Sequence, residues 1–256
     1  MRAPAYPIDR ERISPEEWET RCDLAGLYRL VAHFRMTDLI DTHISARVPN
    51  EPDHFLINRY GVLFHEMRAS DLVKVDHEGN LLDPRLGPDS VNRAGFNIHS
   101  AIHAARADVN CVVHTHTAAG IAVSAQEEGL LPISQHALKY YGRLGYHDYE
   151  GIALDPDERG RLVRDLGAHQ AMILRNHGLL AVGGSVAEAF NQLYFLERAC
   201  QAQVQALAGG RPLRIPPEAV CELTARQSED EIARDLHLLA WASALRLLDG
   251  ETDYRC

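Results

Sequence analysis

At 256 residues and 46% hydrophobic content, the chain has the size and apolar fraction for one α/β domain with room for a helical appendage. A formal net charge of -10, with no basic stripe, argues against nucleic acid or an anionic membrane as partner. No run is long enough to span a membrane, residues 1–12 lack the apolar core of a signal peptide, and five cysteines show no CxxC spacing; reduced thiols and a cytoplasmic location are expected.

Residues 1–14 read as an arm. Ser14-Pro15-Glu16-Glu17 is a capping box with proline at the first helical position, and it predicts a helix over 15–34. Trp18, Cys22, Ala25 and Tyr28 line one face and Leu24, Leu27, Val31 and Phe34 another, so much of this helix should be buried. Extended segments follow at 42–48, 55–58 and 72–76. The turn chemistry of Asn58-Arg59-Tyr60-Gly61 and Glu78-Gly79-Asn80 divides them into a meander rather than a βαβ alternation. A helix is expected over 90–107, then the apolar strand Cys111-Val112-Val113-His114-Thr115-His116-Thr117 and a small packed helix over 118–125. Beyond these come a short strand at 150–154, an amphipathic helix at 157–166, and two apolar runs, 171–174 and 179–182, flanking Asn176-His177-Gly178. A second capping box at Ser185-Val186-Ala187-Glu188 opens a long helix to about 208, stopped by Gly209-Gly210 and Pro212. Pro216-Pro217 starts a last helical section. The expected division is an arm (1–14), a main domain (15–210) and a C-terminal helical extension (211–256). The fold class is α/β, with α/β/α layers around a mostly antiparallel central sheet.

Fourteen histidines stand out, and their spacing matters more than their number. On one strand His114 and His116 would share a face, because side chains at i and i+2 point the same way. With His177 they make the arithmetic of an open three-histidine site, leaving a coordination position for water or substrate. His99 and His103, at i and i+4, lack the glutamate of an HExxH helix and read as structural or pocket-lining. Tyr146-His147-Asp148-Tyr149 reads equally as a substrate wall or an interface loop.

Four stretches now carry a resemblance: Asp41-Thr42-His43-Ile44-Ser45-Ala46-Arg47, Ala69-Ser70-Asp71-Leu72-Val73-Lys74-Val75-Asp76, Val112-Val113-His114-Thr115-His116 and Arg175-Asn176-His177-Gly178-Leu179. Residues 15–210 resemble a class II aldolase/adducin domain. Gly95-Phe96 with His99 to His103, Leu130-Leu131-Pro132-Ile133-Ser134 and Tyr146 to Tyr149 resemble the adducin-like branch. The resemblance implies one divalent metal ion held by His114, His116 and His177, with zinc expected first and iron or manganese as alternatives. It also implies a homotetramer with sites at subunit interfaces. The family's sugar-phosphate aldolases use a glutamate about nineteen residues before the first metal histidine; here that position is Gly95. Their phosphate-binding turns are replaced by Asp41-Thr42-His43, Ile57-Asn58-Arg59-Tyr60-Gly61 and Arg93-Ala94. Asn58, Arg59 and Arg93 become candidate substrate-binding residues, the arginines suited to a carboxylate. A tyrosine that reaches the aldolase site from a neighbouring subunit matches His136, which becomes the candidate catalytic acid/base.

Three functions follow from these residues. The first is a metal-dependent lyase performing aldol-type C–C cleavage or decarboxylation on a small, oxygenated, carboxylate-bearing, non-phosphorylated substrate. The second is a non-haem iron oxygenase on the same fold, which would need no enolising base. The third is a non-catalytic adducin-like assembly or binding module, which Gly95 would fit. An intact histidine triad favours an enzyme that lacks the usual glutamate base.

Overall fold

The computed structural model describes residues 8, 10–250 and 252–256; the rest of the expected arm, 1–7 and 9, lies outside them. Helix α1 (Pro15–His33) begins where Ser14 Oγ accepts the Glu17 amide at 3.1 Å, but Glu17 does not close the box. Its carboxylate turns instead to Arg21 and Lys74. Strands β1 (His43–Val48), β2 (Glu51–Asn58) and β3 (Leu72–Asp76) form the antiparallel meander. Helix α2 spans Arg93–Ala105, starting later than the expected residue 90, because the Asn92 side chain accepts the amides of Ala94 and Gly95 and so sets the first turn. Then come β4 (Cys111–Thr115), α3 (Ala118–Ser124), α4 (Gln135–Leu138), β5 (Gly145–His147), α5 (Glu158–Leu166), β6 (Ala171–Leu174), β7 (Gly178–Gly183) and α6 (Val186–Leu207). The extension contributes α7 (Glu218–Ala233) and α8 (Leu236–Leu245).

Among the described residues seven strands lie in the order β3-β2-β1-β4-β7-β6-β5, and only the β5–β6 pair is parallel. Every residue of β4, at the centre, is buried. Alternation sends Cys111 and Val113 to one face, against α1 and α6, and Val112 to the other, against Ile98 and Ile102 of α2 and Leu162 and Leu166 of α5. His114, two residues after Val112, therefore falls on the α2 side. These are the α/β/α layers that the patterning implied. The expected strand at 150–154 is not formed. Ile152 and Leu154 are 71% and 56% exposed, so that run has no face to bury, and Gly151 takes φ 111 in a bend. The edge strand is Gly145–His147 instead, where Gly145 is needed because a Cβ would stand 2.6 Å from the Asp165 carbonyl.

The extension packs onto the main core: Trp241, Ala244, Leu248 and Tyr254 share one apolar cluster with α1 and α6. Gly26 of α1 permits this, since a Cβ there would meet Leu245 at 3.0 Å. Among the described residues no helix is long and apolar enough to cross a membrane.

One buried hydroxyl ties α1 to the sheet. Tyr28 Oη accepts the amides of Ile44 (2.9 Å) and Asn58 (3.1 Å), and it faces the Ile44 carbonyl and Asn58 Oδ1 as acceptors for its proton. Tyr28→Phe leaves these buried groups short of a partner. A stability loss of about 1–3 kcal/mol is expected, read from the urea midpoint at unchanged m-value.

Candidate metal centre

The sheet delivers the three histidines from two loops and a strand end. His114 is fully buried on β4, and its Nδ1 lies 2.9 Å from the Leu179 carbonyl on β7. A carbonyl only accepts, so the proton of neutral His114 sits on Nδ1 and Nε2 is a bare lone pair. His116 stands one residue past the end of β4, just before Thr117, the N-cap of α3. Thr117 accepts the Gly120 amide and donates to the buried carboxylate of Glu197 on α6, which pins the chain where His116 leaves the sheet. His116 Nδ1 faces Asp38 Oδ2 at 3.2 Å, so its lone pair is likewise on Nε2. His177 sits in the β6–β7 turn behind Asn176, whose φ of 56 is left-handed. Gly178 follows because a Cβ there would press into the Thr115 carbonyl and stand 3.2 Å from the His116 ring.

The three Nε2 atoms converge: 2.7 Å between His114 and His116, 2.9 Å between His116 and His177, and 3.3 Å between His114 and His177. At least two of these nitrogens face each other with bare lone pairs, which repel unless a proton or a cation lies between them. Burial and neighbouring imidazole charge push His177 down to about 4 and His114 well below the ordinary histidine value, so a proton is disfavoured. The donor set therefore fits a divalent ion: three converging Nε2 atoms, with the His114 and His116 rings oriented by a carbonyl and a carboxylate.

The other candidates are placed as follows. Arg59 follows Asn58 at the end of β2, where the amides of Asn58 and Ile44 both donate to the Tyr28 hydroxyl, and Ile44 adjoins His43, which pairs with His114. Arg59 lies 3.8 Å from Asp71. Arg93 is exposed in the first turn of α2, two residues before Gly95, which abuts His43. Both arginines thus belong to the sheet end that carries the triad. Asn58 is buried, with Oδ1 facing the Tyr28 hydroxyl. His136 is exposed on α4, stacked on Phe195 of α6 with centroids 5.2 Å apart, and not on a triad ring. The Tyr146 to Tyr149 segment divides its work. Tyr146 Oη accepts the Leu130 amide beneath the Arg175 guanidinium, His147 lies between Asp165 and Glu158, and half-exposed Tyr149 comes within 6.2 Å of the His177 ring.

Two features escaped the sequence. Asp38 reaches His116 from a loop 78 residues earlier, with no local pattern to mark it. His43, Ser45, His99 and His103 form a buried polar chain on the α2 side, for which the His99/His103 spacing was the only signal. His43 also explains Gly95: a Cβ at 95 would stand 2.7 Å from both Cγ and Nε2 of His43, and closer still to Cδ2.

Two outcomes follow. Gly95→Glu should cost about 2 kcal/mol or more by overpacking, rather than supply a base, and thermal unfolding will show it. Burial holds His43 and His99 well below the ordinary histidine value, and it takes His103 down to about 3. The unfolded chain binds those protons below about pH 6.5 while the folded chain refuses them, so stability should fall as pH drops from there toward 3. The slope approaches ~1.4 kcal/mol per pH unit for each neutral buried histidine, measurable by urea titration across that window.

The model of the Class II Aldolase and Adducin N-terminal domain matches residues 22–204. The protein named "Putative aldolase class 2 protein" of Caulobacter vibrioides is 50% identical over 249 residues, covering 94% of this chain and 93% of its own. Alpha-adducin of Rattus norvegicus is 50% identical over 189 residues, 73% of this chain but 26% of the adducin. The solved L-fuculose 1-phosphate aldolase of Glaciozyma antarctica superposes with TM-score 0.83 at 28% identity, covering 98% of each chain. With a family model over most of its length and a half-identical full-length relative, the chain belongs to the class II aldolase and adducin N-terminal domain family.

Proposed function

We propose that this protein is a divalent-metal-dependent lyase, acting by aldol-type C–C cleavage or decarboxylation on a small oxygenated substrate that carries a carboxylate and no phosphate. The observation that carries the reading is the facing of imidazole lone pairs at 2.7–3.3 Å, with the His114 and His116 tautomers set from behind. An ion held by His114, His116 and His177, with zinc first and iron or manganese as alternatives, would supply Lewis-acid polarisation of adjacent substrate oxygens. Arg59 and Arg93 flank the same sheet end and are suited to bind the carboxylate. Asn58, buried against Tyr28, holds the end of β2 from which Arg59 projects. His136 is the proposed acid/base. Its exposure on α4 suits contact with a second copy of the chain, so this role requires an oligomer, a tetramer by family analogy. A monomer in light scattering would remove His136 from the site.

The 50% identity to an adducin over 189 residues favours one second reading, a non-catalytic assembly or binding module. An iron oxygenase is the other use of three neutral histidines. Anaerobic turnover with zinc or manganese supports the lyase, whereas oxygen consumption with iron supports the oxygenase. Stoichiometric metal without turnover of any small hydroxy or keto acid supports the module. We take residues 15–210 as the catalytic domain and 211–256 as a cover for α1 and α6. Among the described residues the five cysteines form no disulfide, which accords with a cytoplasmic location.

His116→Ala should strip the ion from the purified protein, as plasma emission will show; metal persisting in equimolar amount would make the triad assignment wrong. Asp38→Asn keeps the shape but weakens the partner of His116 Nδ1, and about a 10- to 100-fold loss of metal affinity is expected.

A further inference from the structure

The buried chain on the α2 side of β1 has a specific logic. His43 Nδ1 lies 2.7 Å from His99 Nε2; His99 Nδ1 meets the Ser45 hydroxyl; the same hydroxyl lies 2.8 Å from His103 Nε2. All four residues are at most 3% exposed. Each neutral imidazole carries one proton, and the hydroxyl can donate only once. Two arrangements satisfy all three links and also use the hydroxyl proton within the chain. Either every ring is protonated on Nδ1 or every ring is protonated on Nε2. One mixture, with the Ser45 oxygen accepting from both His99 Nδ1 and His103 Nε2, leaves the buried hydroxyl proton with no acceptor among the described residues; every other mixture sets N–H against N–H, or lone pair against lone pair.

The far end chooses between them. His103 Nδ1 is buried with no hydrogen-bond partner among the described residues. The nearby Val109 carbonyl accepts from the Arg47 guanidinium, at 3.1 Å from one terminal nitrogen, and makes no hydrogen bond to His103 Nδ1 among the described residues. Arg47 also donates to the His103 carbonyl, at 2.7 Å, so its positive charge lies beside this residue. An orphaned buried N–H is rarer in folded proteins than an orphaned acceptor, and a nearby cation prefers a lone pair. The all-Nε2 arrangement follows. Its near end is His43, whose ring lies against that of His114 with centroids 5.0 Å apart and fills the space a residue-95 side chain would take. Its Nδ1 is committed to His99, so the proton it presents is on Nε2, the nitrogen on the side of residue 95.

We propose that His43 is a substrate-positioning residue that presents a neutral Nε2–H donor beside the triad, and that the His99–Ser45–His103 chain behind it fixes this tautomer. A group of this kind selects an acceptor oxygen, a carboxylate or carbonyl, over a hydroxyl donor, and it adds no charge to the site. The assignment rests on the triad being the site of chemistry.

The test uses the zinc-loaded protein labelled with nitrogen-15 at histidine. Two-bond proton–nitrogen correlation should show His43, His99 and His103 all neutral and protonated on Nε2. Glycolate, a small carboxylate with an adjacent hydroxyl, should bind about tenfold more weakly to His43→Leu, and His43→Gln, which keeps a donor, should recover much of the loss. Ser45→Ala should return His43 to a mixture of tautomers. A His43 protonated on Nδ1 in the unmodified protein overturns the proposal, as does glycolate binding unaffected by His43→Leu. The tautomer measurement on unmodified protein decides even where a variant fails to fold. If the triad binds no zinc, glycolate binding fails in unmodified protein too while the tautomers stay readable, so the two readings fail separately.

Discussion

Three imidazoles aimed at one point are an unfavourable arrangement by themselves. Two of their Nε2 lone pairs are fixed by acceptors behind them, the Leu179 carbonyl and the Asp38 carboxylate, and burial removes the easy remedy of protonation. Something must hold such a cluster against its own repulsion. In this chain it is the central strand β4, buried along its whole length and bonded on both sides, to β1 and to β7. β7 brings the His177 turn. β1 brings His43 alongside His114. Displacing β4 would disperse every group the site needs.

That same strand divides the molecule into two working halves. Its Cys111/Val113 face belongs to the apolar layer of α1 and α6, where stability is concentrated and where the C-terminal helices add their cover. Its His114 face looks toward α2, and there the interior turns polar. Placing His43, Ser45, His99 and His103 out of water is costly unless each hydrogen bond is made. Every link within the chain is made, and among the described residues His103 Nδ1 at the far end has no partner. A buried polar chain that opens on the triad at one end and stops unsatisfied at the other is arranged around the site rather than around stability.

Gly95 shows how a local reading and a spatial one differ. In sequence it is a loss, because the family's aldolases have a carboxylate there. In space the position is occupied: the His43 ring leaves no room for a Cβ. What looked like a deleted group on α2 is space taken by the His43 ring from β1. His136 shows the reverse. The resemblance gives it an acid/base role, yet within one chain it rests on Phe195, so the proposed role would need a second subunit.

The sequence by itself determined the elements and the triad. Helix caps at Ser14 and Ser185, the strand alternation around Val112, and the paired His-x-His and Asn-His-Gly motifs are short-range signals, set by backbone hydrogen bonding and side-chain period, and they placed most boundaries within a residue or two. It misread 150–154 as a strand, because apolar content alone cannot say whether a partner face exists; Ile152 and Leu154 have none. Only the tertiary structure decided which residues stand behind the histidines. Asp38, His43 and His103 meet the site across separations of tens of residues, through sheet register and helix packing. No local pattern encodes such contacts, since they exist only once the strands have paired.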